Sequence, residues 1–275
     1  MTAYLVYDVF TDRRFGGNPL AVIPDAAGLA EDDLQRIARE FNFSETTFVT
    51  PPADPAHTAR VRIFTPTMEV PFAGHPTIGT AVALAEAGHG PEMVLELGVG
   101  PLAARAADGR AAFTTEVPLA RLAAPDPDLV ARALGIAPER IKSPPVMASL
   151  GLGFTLTELD SRATLAALQP DIAAFRAGAA AYPQGQDFAQ YAWVETPDGI
   201  HARMFAPLDN IPEDPATGSA AATLAALLAE ARGAYAGTLR QGEDMGRPST
   251  IGVEAVPGRV TVSGQALRVM EGRLL

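Results

Sequence analysis

The feature that most constrains this chain is an internal repeat. Arg62-Ile63-Phe64-Thr65-Pro66 matches Arg203-Met204-Phe205-Ala206-Pro207. Further on, and in the same order, Pro76-Thr77-Ile78-Gly79-Thr80-Ala81-Val82-Ala83 matches Pro215-Ala216-Thr217-Gly218-Ser219-Ala220-Ala221-Ala222, with a spacing that differs by two residues. A strand, a loop of slightly variable length, and a helix opening on Pro-x-x-Gly-[Thr/Ser]-Ala thus occur twice. An Ala-rich sequence supplies one such match by chance far more readily than an ordered pair. The repeat predicts two homologous domains within 275 residues.

Local patterns fill in the rest. Tyr4 to Phe10 and Leu20 to Ile23 read as a strand pair across Gly16-Gly17-Asn18-Pro19. Leu34, Ile37, Ala38 and Phe41 recur at helical spacing behind Glu31, Asp32 and Asp33, acids that suit a helix N-terminus. Thr46–Val49, Ala59–Phe64, Met93–Leu97, Ala103–Ala106 and Ala111–Val117 read as strands, the last two joined by an Asp108-Gly109 hairpin turn. Pro76 to Ala87 and about Ala216 to Arg232 read as small-residue helices, and the Pro-rich stretch from Pro118 to Pro127 as a domain boundary.

Composition narrows the function. With 32 acidic against 21 basic residues the net charge is -11, so a nucleic-acid backbone or an anionic lipid surface would repel the chain. No cysteine is present, which removes disulfides, thiolate metal sites and any thiol acid/base. No apolar run is long enough for a membrane span and the N-terminus lacks a basic leader, so the expectation is a soluble, cytoplasmic protein. Gly98-Val99-Gly100-Pro101-Leu102-Ala103 fits a loose dinucleotide pattern, but a hairpin follows it where a phosphate-binding helix is needed. The Gly16-Gly17 pair reads as a turn or as a substrate contact.

The repeated helix starts carry the chemistry. A proline near the first helical position followed by small residues leaves backbone N–H groups open to an anion. Asp214 reads as the N-cap of the second helix or, with His75 as its counterpart beside the first, as part of a site. Glu45, between Phe43 and Phe48, reads as a desolvated acid/base with a raised pKa, or as a solvated or capping residue. His57, His89 and His201 stand apart without partners at metal-ligand spacing and read as surface or core residues, so no metal is expected.

Taken together, Gly17-Asn18-Pro19, Ser44-Glu45-Thr46, Pro71-Phe72-Ala73-Gly74-His75-Pro76, Glu213 through Ala220, and Gln241-Gly242-Glu243-Asp244-Met245-Gly246-Arg247-Pro248-Ser249 resemble the phenazine-biosynthesis PhzF family over nearly the whole chain. The resemblance implies an α+β, diaminopimelate-epimerase-like fold: two pseudo-symmetric domains, each a curved, mostly antiparallel sheet around a central helix, with the active site in the cleft between them. The first domain is expected over 1–118 plus a C-terminal strand at about 265–275, and the second over 119–264. Relatives in the wider superfamily use paired cysteines, which this chain lacks. The resemblance also implies a cofactor-independent isomerase, active as a homodimer on a small anionic carboxylic acid such as trans-2,3-dihydro-3-hydroxyanthranilate. Glu45 would shuttle the proton, and His75 and Asp214 would assist. Asn18, Ser44 and the backbone at Gly74, Gly218 and Ser219 would hold the substrate. The loop Leu208-Asp209-Asn210-Ile211-Pro212 and Pro215 depart from the family pattern, which leaves the substrate open. The competing readings are an epimerase using Glu45 and Asp214 on opposite faces, and a non-catalytic binder of an anionic metabolite.

Overall fold

The computed structural model describes residues 1–185 and 187–275. In chain order the elements are β1 (Thr2–Val9), β2 (Asn18–Ile23), α1 (Glu31–Phe41), β3 (Glu45–Thr50), β4 (Ala59–Phe64), β5 (Glu69–Val70), α2 (Gly74–Glu86), β6 (Glu92–Leu97), β7 (Gly100–Ala107) and β8 (Arg110–Thr115). There follow β9 (Ala120–Ala123), α3 (Pro127–Leu134), β10 (Val146–Ser149), β11 (Gly153–Glu158), α4 (Arg162–Ala166), α5 (Ile172–Ala181), β12 (Gln190–Thr196) and β13 (Gly199–Ala206). The chain ends with β14 (Ile211–Asp214), α6 (Gly218–Arg232), β15 (Tyr235–Gln241), β16 (Ser249–Val256) and β17 (Arg259–Leu274). These elements form two compact units, Met1–Thr115 with Thr261–Leu275, and Glu116–Val260.

In the first unit the strand pairings run β1, β2, β3, β4, β6, β7, β8, β17 and back to β1, a closed barrel. Helix α2 touches β1, β2, β3, β7 and β8, and every residue from Gly74 to Leu84 is buried. A helix buried all round must be built from small and apolar residues, which accounts for its run of Gly, Thr and Ala. At Gly79 an added Cβ would come within 2.5 Å of Leu20 and 2.8 Å of Val9, so the glycine sets how closely α2 approaches the strands. Helix α1 covers the outside instead. Its Leu34 and Ala38 join Ile23, Phe48 and Phe64 in an apolar cluster, and three acids occupy its first turn.

The second unit is wound in the same order. β10 pairs antiparallel with β11, β11 parallel with β12, β12 antiparallel with β13, β13 parallel with β15, and β15 antiparallel with β16. Its outer apolar cluster joins Val130 and Leu134 of α3 and Phe175 of α5 to Ala192, Val194 and Phe205 on the strands. The first repeated segment acquires a structural meaning here. The Arg62 guanidinium lies over Phe64 and grips Glu69 on β5, and the Arg203 guanidinium lies over Phe205 and grips Glu213 on β14. In both units a cation covers an aromatic face while a carboxylate from the following strand neutralises it.

The structure corrects the register of the second repeated segment. Ile63 pairs with Val70, and its counterpart Met204 pairs with Asp214, so the strand ends Val70 and Asp214 correspond. Gly74 opens α2 and Gly218 opens α6, so the counterpart of His75 is Ser219, not Asp214. Pro76 lies inside the first turn of its helix, where a missing N–H costs nothing, whereas Pro215 precedes its helix and corresponds to Pro71. The N-cap reading of Asp214 also fails, because Thr217 occupies that position and Asp214 lies further upstream. Alignment by Pro and Gly alone missed this because the connection from Arg203 to Gly218 is three residues longer than that from Arg62 to Gly74.

Candidate active site

In the first unit four of the expected side chains converge. Gly17, at φ +62, turns the chain into β2; an added Cβ there would lie 2.3 Å from the Val9 carbonyl oxygen, so only glycine fits. The next residue, Asn18, is fully buried at the strand start. Its Oδ1 accepts from the Ser44 hydroxyl at 3.3 Å, and its Nδ2 lies 3.4 Å from His75 Nδ1. Glu45, first residue of β3, brings Oε2 to 3.3 Å from the same His75 nitrogen, with its side chain 16% exposed. Gly74, the first residue of α2, supplies one of the helix N-terminal N–H groups.

Burial pulls the His75 pKa down to about 3, against a smaller opposing hydrogen bond to the Pro19 carbonyl. The imidazole is therefore neutral at physiological pH, and its 3.3 Å approach to Glu45 Oε2 is the contact of a neutral ring, not a salt bridge. The positive end of α2, where His75 is the second residue, acts in the same direction. The other ring nitrogen, Nε2, is buried without a hydrogen-bond partner among the described residues, a costly arrangement that a bound polar group would relieve. A carboxyl group beside a neutral imidazole in a nearly water-free setting can take up and return a proton.

In the second unit the expected residues lie on one segment. Asp214 ends β14, and Gly218 and Ser219 open α6. Asp214 is 5% exposed, and its Oδ2 accepts from the Thr217 hydroxyl at 2.5 Å. Gln241, at the end of β15, binds the same segment. Tyr191 is fully buried, its hydroxyl has no hydrogen-bond partner among the described residues, and its pKa is pushed up by burial and, next, by the negative charge of Asp214. Thr217, Gln241 and Tyr191 were not singled out from the sequence. Gln241 heads the Gln241-Gly242 motif and Thr217 stands in the repeated Pro215-Ala216-Thr217-Gly218 segment, whereas no motif marked Tyr191.

The remaining histidines lie elsewhere. His57 Nδ1 is 2.8 Å from Glu96, His201 Nδ1 is 2.7 Å from Glu243, and His89 is exposed. The Gly98–Gly100 stretch is the tight turn between β6 and β7. Among the described residues no helix is long and apolar enough to cross a membrane.

Comparisons with known proteins give the family. The family model PhzC-PhzF, described as phenazine biosynthesis-like protein, matches residues 7–272. An uncharacterized isomerase of Mesorhizobium japonicum is 39% identical over 98% of both chains. The trans-2,3-dihydro-3-hydroxyanthranilate isomerase of Pseudomonas aeruginosa is 36% identical over 99% of both. In fold, the crystal structure of a PhzF-family phenazine biosynthesis protein from Bacillus anthracis superposes with a TM-score of 0.88, covering 100% of this chain and 99% of that one at 24% identity. A mixed sheet-and-helix fold of the diaminopimelate-epimerase type thus carries a carboxyl and imidazole pair suited to proton transfer, and the chain belongs to the PhzF family. It is an isomerase.

Proposed function

We propose that the protein moves a proton on a small unsaturated cyclic carboxylic acid of the trans-2,3-dihydro-3-hydroxyanthranilate type, with Glu45 as the acid/base and without a cofactor. The observation that carries this reading is the contact of Glu45 with His75, a ring kept neutral by burial. In the proposed step the Glu45 carboxylate takes the proton from C3 of the ring. The electron pair left behind shifts through the ring double bonds, and Glu45 returns the proton at C1. The product is an enol that tautomerises to the ketone, so atoms and electrons balance with no oxidant. A neutral His75 lies against Glu45 without neutralising it, Asn18 lies against that ring, and the Ser44 hydroxyl holds Asn18 in turn. Asp214 assists by hydrogen bonding. The N–H groups at Gly74, Gly218 and Ser219, at the positive ends of two helices, suit the substrate carboxylate. The same reading treats the two units as pseudo-symmetric copies, supported by their matched order of strand pairings.

The test is NMR of the ring protons when trans-2,3-dihydro-3-hydroxyanthranilate is incubated with the protein in D₂O. Conversion that keeps much of the transferred label and disappears in Glu45→Gln is the expected result. Full solvent incorporation with inversion would replace the single-carboxylate shuttle by a two-base epimerase. Binding without exchange at carbon would leave only a metabolite-binding protein.

A further inference from the structure

The Gln241-Gly242 motif has no part in the proton transfer described above, yet its Gln241 side chain joins Thr217 in a hydrogen-bond network beside Asp214. Gln241 is 1% exposed. Its Oε1 accepts the Thr217 main-chain N–H at 3.2 Å, while its Nε2 donates to the Asp214 carbonyl oxygen at 2.7 Å and to the Thr217 hydroxyl at 3.0 Å. Because Oε1 faces an N–H, the amide has one satisfactory orientation, and Nε2 is the donor. The Thr217 oxygen, having accepted that N–H, has its single proton left for Asp214 Oδ2, at the 2.5 Å distance of a short charge-assisted hydrogen bond. Gly242, at φ +75, continues the contact. A Cβ there would fall 2.7 Å from the Pro215 carbonyl oxygen, so the backbone after Gln241 lies directly against the segment that carries Asp214.

We infer that Thr217 and Gln241 are positioning residues for Asp214, the amide setting the direction of the threonine hydroxyl so that it donates to the carboxylate and holds it as an acceptor. The inference rests on the proposed role of Asp214 at the substrate. Thr217 stands at the N-cap of α6, but its hydroxyl makes no capping bond and is spent on Asp214. Among the described residues, the titratable group facing Asp214 from β12 is Tyr191. Neighbouring Glu213 on β14 is turned to Arg203, α6 opens on the uncharged Gly218 and Ser219, and β15 contributes the uncharged Gln241.

The experiment is a carboxyl ¹³C NMR titration of Asp214 in substrate-free protein labelled at aspartate, run alongside the pH profile of kcat/KM on trans-2,3-dihydro-3-hydroxyanthranilate. Thr217→Val removes the donor and is expected to raise the Asp214 midpoint by about one to two pH units, the worth of one hydrogen bond to a charged group. The acid limb of kcat/KM should move with it, and kcat should fall about tenfold with a smaller change in KM. Thr217→Ser should restore all three quantities. Gln241→Leu leaves the hydroxyl but frees its direction, and should raise the midpoint by less. An unchanged midpoint in Thr217→Val, or a serine variant that restores nothing, overturns the inference. Should Thr217→Val fail to fold, an unchanged midpoint in Gln241→Leu does the same. If the midpoint moves as expected but the unmutated protein converts no substrate, the positioning role stands and the proposed substrate falls.

Discussion

The first and second units share a winding order and an Arg-over-Phe clasp, yet at corresponding positions they present different chemistry. Thr46 pairs with Phe64, and Gln190 with Phe205, so the residue before each strand pairing is Glu45 in one unit and Ala189 in the other. His75 corresponds to Ser219, and Val70 to Asp214. Each unit therefore offers one buried or half-buried carboxylate, but at a different position of the frame: at the start of a strand in the first, and at the end of a strand in the second. Strand order and helix burial are held by many small packing terms, whereas a proton-transfer group needs a single side chain at a strand end. The frame can stay matched while the chemistry diverges.

The largest expected effect tests that divergence directly. Glu45→Gln should lower the isomerisation rate by about 10³-fold or more and leave the fold intact, as judged by circular dichroism. Comparable activity in the variant would mean that the second unit's carboxylate does the chemistry.

The clasps are matched in geometry but not in setting. Arg203 is 10% exposed and its Nη1 also lies within reach of the carbonyls of Leu165, Ala166 and Leu168, while Arg62 reaches Glu31, which is 71% exposed. Arg203→Met should cost about 3–5 kcal/mol in urea unfolding because it strands Glu213. Arg62→Met should cost nearer ~1 kcal/mol. Equal losses would show that burial does not separate the two.

Acid should act on the first unit through His75. Its folded pKa, near 3, lies below the unfolded value of 6.5, so the unfolded chain binds the proton first and stability falls as pH drops from about 6.5 toward 3. From this residue alone the slope is at most about 1.4 kcal/mol per pH unit. Subtracting the same titration of His75→Asn isolates it, and superimposable curves would refute the neutral, buried ring. At the central helix, Gly79→Ala should cost about 1–3 kcal/mol by crowding Leu20 and Val9. A neutral result in the same unfolding assay would show that α2 can shift within its barrel.

What could be read from the sequence was whatever depends on neighbours along the chain. Periodicity marked α1, small-residue composition marked α2 and α6, and Asp108-Gly109 marked the β7–β8 turn. The association of Asn18, Ser44, Glu45 and His75 was legible only through the family resemblance. Several matters required the tertiary structure. The pairing of Val70 with Ile63 and of Asp214 with Met204 set the true correspondence of the halves, because a loop of changed length moves residues along the chain without moving them in the sheet. The neutral state of His75 comes from a surrounding barrel whose strands lie far apart in sequence. The hold of Gln241 on Asp214 joins residues from separate strands and follows no local pattern. Propensity and periodicity are local and survive in the sequence; register, desolvation and hydrogen-bond direction arise from contacts between distant segments, and those exist only once the chain has folded.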